Sequence, residues 1–289
     1  MAVVEAVPAL AGPEEVRWPG SLARNLEILL PAAVLVIIAA GCFLGPLVLP
    51  VPPPVGGSVL DSYLDAGSPG HLLGTDPNGN DILSRILHGG RSSLVVAVAV
   101  NLLGLIVGGT LGALSGQVGG AVDTVIMRVL DVLIAFPSLV LTLAVAQSLG
   151  ASQTNTVLAL AFFSVPAFAR ISRAATLRLR ELPFMAAAEL AGTPGWRILL
   201  RHIAPNITPQ LITFGMLGMG IVMVIEGALS FLGLGIPPPA PSWGNMIAQG
   251  QQSLSATPML VVWPCAALFV TVLAFNLLGE TLRARWSGR

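Results

Sequence analysis

The sequence has 289 residues, of which 54% are hydrophobic and only 10% are charged. Soluble domains carry roughly 25% charged residues, so this composition excludes a protein surrounded entirely by water and indicates a membrane protein. The formal net charge is zero, which gives no sign of binding to nucleic acid.

A membrane-spanning helix needs about 20 apolar residues, so the length allows about six spans. The apolar runs lie near residues 28–50, 94–114, 124–149, 157–175, 207–234 and 259–280. Because unpaired backbone groups are not tolerated in hydrocarbon, these runs predict an all-α, polytopic fold. We expect residues 1–27 to be a disordered cytoplasmic tail, residues 94–283 a five-helix core and residues 284–289 a second cytoplasmic tail.

Residues 51–93 are predicted to form an extracytoplasmic loop that ends in a short amphipathic helix. Asn80 is placed to cap this helix, and Asp81 and Arg85 are four residues apart, a spacing that favours an ion pair. One face of the helix is apolar, so we expect it to lie on the membrane surface.

The second apolar run contains glycines at a regular spacing of four residues: Gly104, Gly108, Gly112 and Gly116. Residues at this spacing share one helix face, and glycine lets another helix approach closely. The stripe predicts close helix packing, either inside this chain or against a second membrane subunit.

Charged residues also occur at the start of the third apolar run, at Asp123, Arg128 and Asp131. Arg128 and Asp131 are three residues apart, so the spacing predicts a structural ion pair at the membrane edge. A role in a translocation path or its gate is the alternative. Pro137 and Pro166 fall within spans and would loosen or kink their helices.

Glu226 lies within the fifth apolar run, where an unpaired charge costs about 3 kcal/mol. Its carboxylate must therefore meet protein groups or water. Two interpretations stay open: a residue that lines a translocation path, or a carboxylate hydrogen-bonded to a neighbouring helix.

The fourteen basic residues are all Arg and are distributed unevenly across the membrane. With the N-terminus in the cytoplasm, twelve fall on the cytoplasmic side, and the other side receives only Arg85 and Arg91. The positive-inside rule therefore favours cytoplasmic N- and C-termini.

The connection between the fourth and fifth spans, residues 170–205, mixes six Arg with small and apolar residues. Pro183 favours the start of a short helix that ends at Gly192, and Thr193 with Pro194 favours a second one that continues through Leu199. The first helix would have a small face able to enter a groove of another protein, formed by Ala187, Ala188 and Ala191.

Several motifs in this chain resemble one family. Residues 186–192 (AAAELAG), with WRI at 196–198 and RHIAPN at 201–206, resemble the EAA coupling motif of ABC importer permeases. Residues 71–93 (HLLGTDPNGNDILSRILHGGRSS) resemble the segment before the second span in dipeptide, oligopeptide and nickel permeases of the DppC/OppC/NikC type. Further matches follow in order, over about residues 71–283 in all: Gly119-Gly120, Asp123, Met127-Arg128, Asp131, Phe136-Pro137, Glu226, residues 229–235 (LSFLGLG), Pro237-Pro238 and Ser242-Trp243-Gly244.

The resemblance implies the type I ABC importer permease fold and a multi-pass protein of the bacterial inner membrane. The chain would form half of a pathway for peptides by alternating access, with nickel or another small solute as the alternative. Its partners would be a second, DppB/OppB-type permease, two ATPases that carry ATP and Mg, an extracytoplasmic substrate-binding protein and the lipid bilayer, with no nucleic acid and no cofactor on this chain.

The resemblance also implies site residues. Coupling helices at about residues 177–205 would dock the ATPase through Ala186, Ala187, Ala188, Glu189, Gly192, Trp196 and Arg197. Candidate pathway or gating residues are Glu226, Asp123, Arg128 and Asp131. The chain departs from the family in three places: Ala186 replaces the glutamate of the motif, Asn80 replaces an Arg, and residues 280–285 (ETLRAR) lack the usual acidic ending.

Other classes of protein fit the sequence less well. The three histidines, His71, His88 and His202, lie outside the predicted spans, and no His-Glu-x-x-His, G-x-S-x-G or Walker A motif occurs. We therefore predict a chain that is not an enzyme, has no metal site and uses ATP hydrolysed by separate subunits. A secondary transporter is the competing interpretation, since six spans and a buried carboxylate fit it too.

Overall fold

The computed structural model describes residues 21–287, and this part of the chain is almost entirely helical. Its only extended pairings are two isolated bridges, Ser68 with His71 and Thr75 with Asp81. The α-helices are α1 (Ser21–Val48), α2 (Ile82–Leu103), α3 (Gly109–Val118), α4 (Gly120–Ala135), α5 (Ser138–Leu149), α6 (Gln153–Arg180), α7 (Pro183–Leu190), α8 (Gly195–Ile198), α9 (Ala204–Phe231), α10 (Trp243–Gly250) and α11 (Met259–Ser287).

Within residues 21–287, five helical segments are long and apolar enough to cross a membrane, and the α4–α5 pair makes a sixth if it counts as one bent span. The predicted all-α fold with about six spans is confirmed. The first helix begins at Ser21, before the expected start at residue 28, and the last continues to Ser287 through most of the expected C-terminal tail. Residues 1–20 and 288–289 of the two predicted tails lie outside the described residues.

The second span is longer than predicted. A π-helical turn, Gly104–Gly108, joins α2 to α3, so that one helix runs from Ile82 to Val118 over 37 residues. Such a helix is about 55 Å long, well beyond the ~30 Å hydrocarbon core. The predicted separate surface helix is therefore wrong: its residues are the first turns of this span, and Ile82 and Arg85 are buried there.

The predicted cap and ion pair of that helix are also wrong. Asp81, not Asn80, is the N-cap, and its Oδ1 accepts a hydrogen bond from the Ser84 backbone N–H at 2.7 Å. Arg85 donates to Asp76 at 2.7 Å instead of pairing with Asp81. The Asn80 side chain donates to Asp76 and accepts from Gly57 N–H, so it stabilises the loop before the helix.

The glycine stripe packs against α6 of the same chain. A Cβ atom at Gly112 would lie 2.1 Å from the Ala169 carbonyl oxygen, and one at Gly108 would lie 2.3 Å from the Val165 carbonyl oxygen. These are backbone atoms, which cannot move aside as a side chain can. The interpretation as packing inside the chain is confirmed.

The third apolar run is broken where Phe136 and Pro137 separate α4 from α5, which meet at 89°. Proline has no N–H for a helical hydrogen bond and disfavours helical backbone at the preceding residue. Phe136 accordingly has extended backbone, with φ −83° and ψ 142°. Pro166, by contrast, lies inside an uninterrupted α6.

Candidate coupling surface and the charged groups of the spans

Residues 183–200, which comprise α7, the turn after it and α8 with the residues that follow, form an elbow directly after α6. Pro183 occupies the first turn of α7, where a missing N–H costs nothing. The helix ends in a Schellman motif: Gly192, at φ +73°, donates to the Glu189 carbonyl at 2.9 Å, and Thr193 donates to the Ala188 carbonyl at 3.1 Å. The prediction of a short helix from Pro183 that Gly192 terminates is confirmed.

The second predicted short helix is not a separate element. It begins after Pro194, which takes the cap position expected for Thr193, and it continues through a π-helical turn, Leu199–Ile203, into α9. The whole segment from Gly195 to Phe231 is one apolar helix of 37 residues. Pro205 has no N–H to donate to the Arg201 carbonyl, and the helix widens into the π turn just before it.

One buried side chain and one polar contact attach the elbow to the membrane helices, and a second polar contact joins α6 to α3 just before it. Met185 is 1% exposed and packs in a cluster with Phe168 of α6 and with Ile198 and Ile203 at the start of the next span. The Gln117 amide donates to the Gly195 carbonyl at 2.6 Å, and Arg180 donates to the Gly116 carbonyl at 3.0 Å. The buried cluster thus joins α7 to α6 and to the start of the span that contains α9.

The opposite face of the elbow is exposed and apolar. Leu190 is 90% exposed, Leu200 is 64% exposed and Trp196 is 63% exposed, with the Arg197 guanidinium 5.2 Å from the Trp196 ring centroid. The predicted coupling residues Ala186, Ala187, Glu189, Gly192, Trp196 and Arg197 are exposed as well, and Ala188 is half-buried. Several exposed large apolar side chains within so short a segment are typical of an interaction surface.

Sequence reasoning missed Leu190 and Leu200 as members of this surface. The spacing of the two apolar residues of α7 was the available signal: Leu190 is five positions after Met185 and so lies about 140° away around the helix. With Met185 buried, an apolar residue at that angle is left exposed. We call the exposed residues Ala186, Ala187, Leu190, Trp196 and Leu200 the coupling surface.

Two ion pairs attach α4 to α6 near the elbow. Arg173 binds Asp123 with two hydrogen bonds of 2.6 Å, and the Ser115 hydroxyl also donates to this carboxylate. Arg170 donates to Asp131 at 2.7 Å. The predicted pair between Arg128 and Asp131 is therefore wrong, and within residues 21–287 the exposed Arg128 makes no ion pair.

The pair of Asp123 and Arg173 should show coupling in a double-mutant cycle. Asp123→Asn and Arg173→Gln should each lower stability by about 1 kcal/mol, the upper range for a partly exposed pair, because the bidentate geometry is good. The double variant should lose no more than either single one, as measured by thermal unfolding in detergent. Arg128→Gln is the control, because this Arg is exposed and makes no ion pair in the described part of the chain. Additive losses for the pair would contradict the prediction.

Glu226 is fully buried between α2, α9 and α10. Its two carboxylate oxygens accept hydrogen bonds from Ser230 at 2.8 Å and from Ser93 at 3.2 Å. The Ser93 hydroxyl in turn accepts from the Trp243 N–H at 3.3 Å. Of the two interpretations, these contacts favour a carboxylate that joins helices over one that lines an open path.

Comparisons with known proteins identify the family of this chain and several of its relatives. Residues 108–287 match the family model of the binding-protein-dependent transport system inner membrane component. The glutathione transport system permease protein GsiD of Pectobacterium atrosepticum is 43% identical over 223 residues, which cover 77% of this chain and 74% of that protein. The dipeptide transport system permease protein DppC of Alkalihalophilus pseudofirmus is 39% identical over 220 residues, covering 76% and 72%.

A solved structure has a similar fold. The inward-facing MetNI methionine ABC transporter matches with a TM-score of 0.56 over 69% of this chain and 95% of the matched chain. The sequences are 16% identical, so this similarity concerns the fold alone.

Proposed function

Since this chain belongs to the family of inner membrane components of binding-protein-dependent transport systems, as a permease subunit of an ABC importer, we propose that it lines half of a translocation path for peptides. The other half would come from a homologous second permease of the DppB/OppB type. An extracytoplasmic binding protein would deliver the solute, and alternating access would carry it across the inner membrane.

The exposure of the coupling surface is the observation that supports docking of an ATPase subunit. The surface is apolar and exposed, while Met185 on the opposite face of the same helix is buried among membrane helices. A groove on an ATPase subunit would receive the surface through Ala186, Ala187, Ala188, Glu189, Gly192, Trp196 and Arg197, together with Leu190. Movement of the ATPases on binding ATP and Mg would then reach α3, α6 and α9 through the elbow.

The proposed docking requires the elbow to lie in the cytoplasm. The contacts of Gln117 with Gly195 and of Arg180 with Gly116 bring the α3–α4 connection beside the elbow, so the two would share one side of the membrane. Both connections carry or adjoin Arg residues, and the positive-inside rule favours the cytoplasm for Arg-rich connections. Cytoplasmic N- and C-termini follow from this orientation.

Peptides are the proposed substrate class because relatives with about 40% identity are named for glutathione and for dipeptide transport, and both solutes are short peptides. Nickel or another small solute is the alternative. Affinity capture of the cognate binding protein, followed by mass spectrometry of the solute it carries, tests this choice. A peptide in the binding protein supports the proposal, and a metal chelate overturns it.

The transport mechanism is tested by uptake of that solute in cells. We expect uptake to stop when the partner ATPases are deleted and to continue when the proton gradient is dissipated while ATP is maintained. The opposite pattern would identify a secondary transporter instead, a class in which buried charges bind the coupling ions.

A further inference from the structure

Arg91 is the exceptional basic residue of this chain. Only it and Arg85 fall on the side that the positive-inside rule leaves poor in Arg, and Arg85 is buried against Asp76 and Gln249. Arg91 is exposed and, within residues 21–287, makes no ion pair; its guanidinium carbon lies 5.6 Å from the centroid of the Phe43 ring. A cation at this position in a span needs water or an anion from outside the chain.

An apolar groove begins beside this cation. It runs between α1, α2 and α11, has a volume of about 500 Å³, and all of the described residues that line it are apolar. Phe43, on which Arg91 stacks, is one of its walls, and Val95, Val98 and Leu102 of α2 form another. The Arg91 guanidinium therefore lies beside one end of the apolar groove.

Arg91 and the groove together extend along α2 over about the thickness of one membrane leaflet. Arg91, Val95, Val98 and Leu102 are spaced by four, three and four residues, so they share one face of α2. From Arg91 to Leu102 the helix rises about 16 Å, half of the ~30 Å hydrocarbon core. The second span is about 25 Å longer than the hydrocarbon core, and with its first turns outside the core Arg91, nine residues after Ile82, would lie near the edge of the membrane.

We propose that this groove binds an acyl chain of an anionic phospholipid whose phosphate pairs with Arg91. A planar guanidinium recognises phosphate oxygens with two parallel hydrogen bonds. The lining of the groove is entirely apolar, and the charged group beside its end is a cation. This combination matches the apolar tail and the anionic headgroup of such a lipid.

Photo-cross-linking of the full chain tests the proposal. The chain is reconstituted in nanodiscs of phosphatidylcholine that contain phosphatidylglycerol with a diazirine on its acyl chain. Cross-links should concentrate on Val95, Val98 and Leu102. Arg91→Gln should reduce their yield about fivefold, the expected loss for one basic residue at an anionic lipid surface, and Arg91→Lys should retain most of it.

Two further variants separate the groove from general lipid contact. Ala99→Phe places a ring in the groove and should remove these cross-links, whereas Ala266→Phe, on an exposed part of α11 outside the groove, should not. Arg283→Gln controls for the loss of one exposed Arg. Size-exclusion profiles matching the unaltered chain show that each variant is folded. Equal yields for Arg91→Gln and Arg283→Gln, or cross-links spread over all lipid-facing helices, would overturn the proposal.

Discussion

Leu190→Glu is expected to abolish ATP-driven uptake while the chain stays folded in the membrane. Leu190 is 90% exposed, so the substitution disturbs no packing inside the chain. In the proposed complex the same position is buried against the ATPase, where a carboxylate has no partner. Loss of a central apolar contact typically costs about 2 kcal/mol or more, so the ATPases should bind at least about 30-fold more weakly. Co-purification of ATPase subunits with the tagged chain measures this.

Ala186→Glu is a closely matched control, because it adds the same charge one helical turn earlier on the same helix. Ala186 is exposed, and the EAA motif that this segment resembles has glutamate at this place. Uptake should therefore be unchanged or improved, and solute-stimulated ATP hydrolysis should be retained. Normal co-purification of the ATPases with Leu190→Glu, or equal losses in both variants, would contradict a coupling role for Leu190.

Gly112→Ala is expected to destabilise the whole helix bundle. The new Cβ would meet the Ala169 carbonyl oxygen at 2.1 Å, so α3 and α6 must separate along their shared face. Overpacking usually costs about 1–3 kcal/mol, and a clash with backbone should reach or exceed the upper end of that range. Thermal unfolding in detergent and the amount of chain recovered from membranes report the loss.

Gly109→Ala provides the comparison for that variant. Gly109 belongs to the same helix, so the change in helix propensity is the same, but the nearest atom to its new Cβ is the flexible Leu211 Cδ1 at 3.3 Å. This variant should keep most of the stability of the unaltered chain. If Gly112→Ala proves as stable as Gly109→Ala, then α3 and α6 do not pack as closely as the structure describes.

Features set by neighbouring residues could be predicted from the sequence. Pro183 and Gly192 fix the start and end of α7 through local backbone preferences, and Pro137 interrupts the third apolar run for the same reason. The four-residue spacing of the glycines predicted a packing face. Its partner could not be predicted, because α6 reaches that face from about 60 residues further along the chain.

Ion pairs were the weakest part of the prediction. Pairs within one helix turn contribute only about 0.2–0.5 kcal/mol, so a well-placed residue on another element easily replaces them. Asp131 thus pairs with Arg170 of α6 and not with Arg128, and Arg85 pairs with Asp76, which a turn of the preceding loop brings close. The exposure of Leu190 depends likewise on the burial of Met185, a tertiary contact; the spacing of the two residues places them on different faces of α7 but does not say which face is buried.

The continuous helix from Ile82 to Val118 connects the loop that precedes it with the elbow. At its first end Asp81 caps the helix and binds His71 of the folded loop, and at its last end Gln117 binds Gly195 of the elbow. The loop and the elbow are thereby attached to opposite ends of one helix about 55 Å long. The π turn at Gly104–Gly108 is the irregular joint in that helix, and in the proposed importer flexing there would uncouple a displacement of the loop from a displacement of the elbow.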